Sequence, residues 1–142
     1  YIRGDWKHWV DYDKDGQNTR IEALIEESES VQLDSKGRII SGVWYDPYSG
    51  AMITNTSKID VDHLVPLGNA NDLSNPERLI ADSIRENRAK GDKSSPDQRM
   101  PSNKAFHCLY VLAWQSIKLR WNLLMTESES KFIVNKIKEC GL

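Results

Sequence analysis

The sequence predicts a single α+β domain, on three observations. Apolar residues recur at helical spacing near both ends of the chain, β-rich runs punctuated by a turn signal fill the middle, and the length of 142 residues suits one core. Apolar residues make up 39% and charged residues 28%, which is ordinary for a globular domain. No apolar run reaches the roughly 20 residues of a membrane span. The opening residues carry no signal-peptide pattern and no leading Met, as in a trimmed or mature secreted chain.

Taken in order, residues 18–27 read as a helix with Ile21, Leu24 and Ile25 on one face and a Thr19–Glu22 capping box at its start. Residues 38–45 and 51–54 flank Asp46-Pro47-Tyr48-Ser49-Gly50, a turn signal, and so predict a β-hairpin. Ile59 to His63 alternates as a short strand and stops before Pro66. Leu79-Ile80-Ala81 is a second short apolar run, after which Asp82 or Ser83 can cap a helix that Gly91 ends. Beyond Pro101, Phe106, Leu109, Tyr110, Leu112, Trp114, Ile117 and Trp121 predict a long buried helix, with Trp114 and Trp121 two turns apart in the core. Thr126 and Glu129 form a second capping box, opening a last helix with Phe132, Ile133 and Ile137 inward. Cys108 and Cys140 fall on these two helices, where a disulfide is sterically reasonable. It would close a loop of about 33 residues, contribute roughly 3–4 kcal/mol and favour an oxidising compartment. Neither cysteine belongs to a CxxC pair, which argues against zinc.

Net charge is −2, but residues 1–77 carry −7 and residues 78–142 carry +5. The later half can face phosphates while the earlier half supplies carboxylates; a solvated surface accounts for the pattern equally well. Two segments carry chemistry. Asp62-His63-Leu64-Val65-Pro66 puts a carboxylate and an imidazole at a strand end. Neighbours in a strand point to opposite faces, so the strand must end or twist there for both to serve one site. Asn87-Arg88-Ala89-Lys90-Gly91-Asp92-Lys93 offers a hard amide oxygen with positive charge beside it.

At this spacing the two segments resemble the HNH, or ββα-metal, endonucleases. Trp6-Lys7-His8-Trp9, Asp15-Gly16, Thr19-Arg20, Ser41-Gly42, Tyr45-Asp46-Pro47-Tyr48 and Trp114…Lys118…Arg120-Trp121 extend the likeness to a bacterial, often secreted, branch over most of the chain. The resemblance implies one nuclease domain over residues 1–142, with a ββα-metal core at about 57–95, an N-terminal helix, a β-hairpin and C-terminal helices. It implies His63 as general base, Asp62 and Asn87 as ligands of one Mg²⁺ or Mn²⁺, and DNA or RNA as substrate. Arg20, Arg88 and Lys90 are phosphate-binding candidates, and Asn75, the Glu77 carboxylate or a backbone carbonyl is a candidate to hold the imidazole. The cysteine pair that relatives place near Gly16 and residue 38 is replaced by Gln17 and Arg38. His8 and His107 are read as structural.

A second cation signal stands apart. Asp11, Asp13, Asp15, Gly16 and Glu22 fit the D-x-D-x-D-G-x5-E spacing of a calcium loop. Asn18 stands where such loops place an apolar anchor, and an acidic loop leading into a helix explains the pattern as well. The alternatives to a DNA endonuclease are therefore a calcium-stabilised, non-catalytic binding module for nucleic acid or protein, and an RNase or toxin domain with an immunity or inhibitor partner.

Overall fold

A computed structural model describes residues 9–65, 79–91 and 95–142. Among these residues the fold is α+β, with four α-helices and two small antiparallel sheets. The chain runs α1 (Thr19–Glu26), β1 (Ser28–Leu33), β2 (Ile39–Asp46), β3 (Ala51–Ile53), β4 (Ile59–His63), β5 (Leu79–Ser83), α2 (Ile84–Lys90), α3 (His107–Arg120) and α4 (Glu127–Glu139). The readings that rest on Trp6, Lys7, His8, Pro66, Asn75, Glu77, Asp92 and Lys93 lie outside the described residues.

Helix α1 is capped differently from the expected box. The Asn18 side chain accepts the Ile21 N–H at 3.1 Å, while Thr19 gives its hydroxyl and its backbone N–H to the Val10 carbonyl. Asn and Thr are both good caps, and the one already extended just outside the helix serves. β2 and β3 form the expected hairpin, held at its turn by Asp46, which accepts from the Tyr48 N–H and the Ser49 hydroxyl. β1 pairs with β2 on the other side and was not read from Ser28-Glu29-Ser30-Val31-Gln32-Leu33, whose polar, mostly exposed side chains suit an edge strand.

Gly42 of β2 is required by a close approach. A Cβ there would lie 2.3 Å from the ring of Trp44, which is fully buried and donates its indole N–H to the Leu24 carbonyl at 2.7 Å. Gly42→Ala is expected to cost about 1–3 kcal/mol, the range for overpacking, read as a lower urea midpoint. An unchanged midpoint would mean that the indole can move aside freely.

β4 and β5 pair in register from Ile59↔Ser83 to His63↔Leu79, and each face of this ribbon packs on its own core. Ile59, Val61, Leu79 and Ala81 join Ala23, Leu24 and Trp44. The opposite face, beginning at Ile80, meets a second cluster of Tyr48, Leu64, Val65, Tyr110, Val111, Trp114, Ile117 and Ile133. The long helix is buried on one face rather than for the most part: Trp114 is inside, but Leu109 is 62% exposed and Trp121, expected in the core, closes α3 at 37% exposure. Trp121 falls after the last helical residue, so the two-turn spacing from Trp114 no longer holds it on the inward face. α4 opens on the expected Thr126–Glu129 capping box. Cys108 and Cys140 form a disulfide joining α3 to the end of α4. No helix among the described residues is long and apolar enough to cross a membrane.

Candidate functional site

Strand β4, strand β5 and helix α2 follow one another as a strand–strand–helix unit. Ser83, the last residue of β5, caps α2 by accepting the Glu86 N–H at 3.3 Å, so the chain turns into the helix without a loop. Gly91 ends it at a positive φ of 52°, a conformation that favours glycine. The helix therefore returns over the ribbon, and its last residue meets the end of β4.

Lys90 makes that meeting. Its ammonium lies 2.5 Å from Asp62 Oδ2, 2.6 Å from the His63 carbonyl and 3.0 Å from the Leu64 carbonyl. All three N–H donors are thereby used, and the residue is 7% exposed. The expectation that Lys90 clamps phosphate at the surface is corrected: its charge is spent inward, on the strand end. Asp62 also accepts the Tyr48 hydroxyl at 2.9 Å. Burial raises the Asp62 carboxyl above the usual range, against the lowering pull of Lys90 and Tyr48. Burial, with the Asp62 charge next, holds the Tyr48 hydroxyl well above its ordinary pKa, so it stays a donor. Lys90, Tyr48, Glu86, Arg99 and Tyr110 line a small cavity of about 10 Å³, room for one water.

Alternation sends Asp62 and His63 to opposite faces of the ribbon. Asp62 points toward Tyr48 and Lys90, whereas the His63 ring stacks on Trp9 with centroids 5.5 Å apart and planes inclined by 30°. Trp9 sits at a positive φ of 56°, rare for a bulky residue, just before the Val10 carbonyl that Thr19 fixes. Nothing in the sequence signalled this stacking, because 54 positions separate Trp9 from His63.

Asn87 stands one turn before Lys90 on α2, half-buried. Arg88 beside it is exposed. Arg20 does not stand free: it reaches the Ile59 carbonyl at 3.3 Å and Asp60 Oδ1 at 3.5 Å, joining α1 to the start of β4. His107 is structural, with Nε2 2.8 Å from the Pro101 carbonyl.

Of the two cap candidates Asp82 and Ser83, Ser83 caps α2 and Asp82 lies within the ribbon. It is fully buried on β5 opposite Asp60, and both its carboxyl oxygens lack hydrogen-bond partners among the described residues. Burial first, then the charges of Asp62 and Asp46, push it up to about 9. The period-two pattern Asp60-x-Asp62 and Ile80-x-Asp82 was the available signal, since it puts all four on one face.

The acidic loop gathers as its spacing suggests. Asp11, Asp13 and Asp15 offer oxygens within 4.8 Å of one another, and Asp11 Oδ1 is buried without a hydrogen-bond partner among the described residues. Glu22 is raised by burial first, then by Asp13, Asp15 and Asp11, so its carboxylate shares their neighbourhood.

No family model matches the chain, and no solved structure matches it. An uncharacterized secreted protein of the fungus Arthroderma benhamiae is 33% identical over 157 aligned positions, which take in 99% of this chain and 76% of the relative. With the disulfide between α3 and α4, this makes the protein a secreted one, as its two cysteines suggested. The chain belongs to the same family as that secreted fungal protein.

Proposed function

We propose that the protein is an HNH-type endonuclease that hydrolyses phosphodiester bonds in DNA with a divalent metal. The observation that carries this reading is the tie between β4 and α2. Lys90 binds both Asp62 and the His63 carbonyl, so the strand end bearing the acid and the imidazole is fixed against the helix bearing Asn87 and Arg88. The donor types suit a hard cation, a carboxylate on β4 and an amide oxygen on α2, although the Lys90 ammonium now engages Asp62 Oδ2. Mg²⁺ or Mn²⁺ at Asp62 and Asn87 would supply positive charge against the phosphate as negative charge builds in the transition state.

The chain's own groups do the rest. Neutral His63 takes the proton of the attacking water, and Trp9 against its face restricts the ring's orientation. Arg88, exposed on α2, meets phosphate oxygens. Lys90 contributes buried positive charge on this side of the ribbon. His63→Ala is expected to lower Mn²⁺- or Mg²⁺-dependent nicking of plasmid by about 100-fold or more, the usual size of a lost general base. A mutant that cleaves as fast as wild type sinks the assignment. RNA digested side by side separates a DNase from an RNase or toxin domain, whose inhibitor partner would be sought next.

A second reading, a calcium-stabilised binding module without catalysis, is supported by the unpartnered Asp11 oxygen among three gathered carboxylates. Ca²⁺ is then expected to raise the unfolding temperature of wild type and not of Asp13→Asn/Asp15→Asn. That result together with no cleavage by wild type would favour the module over the enzyme; no shift with Ca²⁺ removes the module.

A further inference from the structure

On the nuclease reading, Asp62 is the anionic ligand of the metal. Yet Asp62 Oδ2 already holds a cation, since the Lys90 ammonium is 2.5 Å away and also bound to two backbone carbonyls. Those three oxygens form the kind of hard oxygen set that takes a divalent ion. Two cations cannot share one carboxylate oxygen at contact distance without strong repulsion in a buried place. Either the metal avoids this oxygen or Lys90 leaves it.

A place for Lys90 to go is on the same face of the ribbon. Asp62 stands opposite Ile80, and Asp82 is two residues further along β5, which makes it the diagonal neighbour of Asp62. Diagonal neighbours in an antiparallel pair lie about 7–8 Å apart, within the sweep of a lysine side chain. Asp82 has two buried oxygens without partners among the described residues, in a position where a carboxyl normally finds a donor. Lys90 also borders a small cavity, so it is not packed tightly on every side.

We propose that Lys90 is the resident counter-cation of Asp62, that a divalent metal displaces it, and that Asp82 then receives the ammonium. One bond breaks in the exchange: the proton that burial holds on Asp82 passes to solvent as the ammonium arrives, so that the new pair forms with the carboxylate. The exchange rests on the reading of Asp62 as a metal ligand, and it gives Asp82 a task that the nuclease chemistry does not use. It also gives a buried acid that has no donor among the described residues a partner that arrives with the metal.

The test is Mn²⁺ binding to the whole chain without nucleic acid, by calorimetry or electron paramagnetic resonance, on wild type, Lys90→Met, Asp82→Asn and the double variant. Lys90→Met removes the competitor and is expected to bind Mn²⁺ about tenfold or more tighter. Asp82→Asn removes the acceptor and is expected to weaken binding about tenfold in wild type, yet to change it less than about twofold in Lys90→Met. That coupling separates an exchange from plain electrostatic attraction, which would weaken both backgrounds alike. Equal weakening in the two backgrounds, no effect of Asp82→Asn in wild type, or no Mn²⁺ binding by either wild type or Lys90→Met overturns the proposal. Asp62→Asn is the separate control: if it binds Mn²⁺ as wild type does, the ligand assignment itself fails.

Should Lys90→Met not fold, lysines labelled with ¹³C at the ε position decide the matter. The Lys90 signal, assigned by its loss in Lys90→Arg, is expected to shift with Mg²⁺ in wild type and to respond differently in Asp82→Asn. A Lys90 signal that does not move with Mg²⁺, or moves identically in both, overturns the exchange.

Discussion

Asp82→Asn is expected to make the protein more stable at neutral pH, and increasingly so as the pH rises. Asp82 is fully buried without a hydrogen-bond donor among the described residues, and burial raises its pKa to about 9 from an unfolded value near 3.8. Between those values the unfolded chain has lost the proton and the folded chain has kept it. The native state then binds more protons, so stability falls with rising pH, by about 1.4 kcal/mol per unit for one group. The loss begins above the unfolded pKa, reaches about 4 kcal/mol at pH 7 and ends only beyond the folded pKa. Asparagine keeps the shape and carries no such linkage. Urea melts of both proteins at pH 5, 6, 7 and 8 should therefore diverge, the variant gaining on the order of 4 kcal/mol over that range. Below the unfolded pKa the two should converge, with the variant slightly worse because its amide is as poorly partnered as the acid. A constant offset between the two curves would show that Asp82 is ionised in the native state already. The gain would also mark Asp82 as a residue kept at a cost to stability, which is common at functional positions.

What could be read from the residues, and what could not, follows the range of the forces involved. The hairpin was legible because Asp46-Pro47-Tyr48-Ser49-Gly50 is local turn chemistry, and α4 because Thr126 and Glu129 cap it three residues apart. The end of β4 and both ends of α2 were legible from Pro66, Ser83 and Gly91, which gave the order of the unit carrying Asp62, His63 and Asn87. Lys90 was not legible as a buried ion. It stands in a charged run that resembles a solvated face, and only the crossing of α2 over β4 turns it inward. The burial of Asp82 was not legible for a related reason: its propensity to cap a helix is local, but its burial depends on which face of the ribbon meets Tyr48 and its neighbours. β1 escaped because an edge strand gains its pairing from β2 and shows little apolar pattern of its own. The stacking of Trp9 on His63 is set by tertiary approach alone.

Glu129→Ala is expected to bring the protein close to unfolding, because one buried carboxylate serves three groups. Its Oε1 accepts the Trp114 indole N–H at 2.6 Å and lies 3.5 Å from the Lys118 ammonium, and its Oε2 accepts the Thr126 backbone N–H at 3.2 Å. Trp114 is fully buried and Lys118 is 3% exposed, so neither of these partners can turn to water when the carboxylate is gone, whereas the exposed Thr126 can. Breaking a buried ion pair from one side costs about 3–5 kcal/mol, an orphaned N–H about 1–3 and a lost cap about 0.5–2. These overlap and do not add fully, but on the order of 5 kcal/mol is a large part of a domain's whole stability. Lys118 keeps the Leu124 carbonyl at 2.8 Å and the Trp114 ring at 5.7 Å, which compensate its charge only in part. The double variant Lys118→Met/Glu129→Gln isolates the cause. It leaves no unpaired charge, and its amide oxygen still accepts from Trp114, so it should recover most of the loss. A Glu129→Ala protein that melts within about 1 kcal/mol of wild type would mean that Lys118 has found water or another anion. The consequence reaches the site through packing. Trp114 and Ile133 belong to the cluster that buries Tyr48, and Tyr48 in turn holds Asp62. Loosening α4 should therefore weaken Mn²⁺ binding at Asp62 before the chain unfolds outright, provided Asp62 is the ligand proposed above.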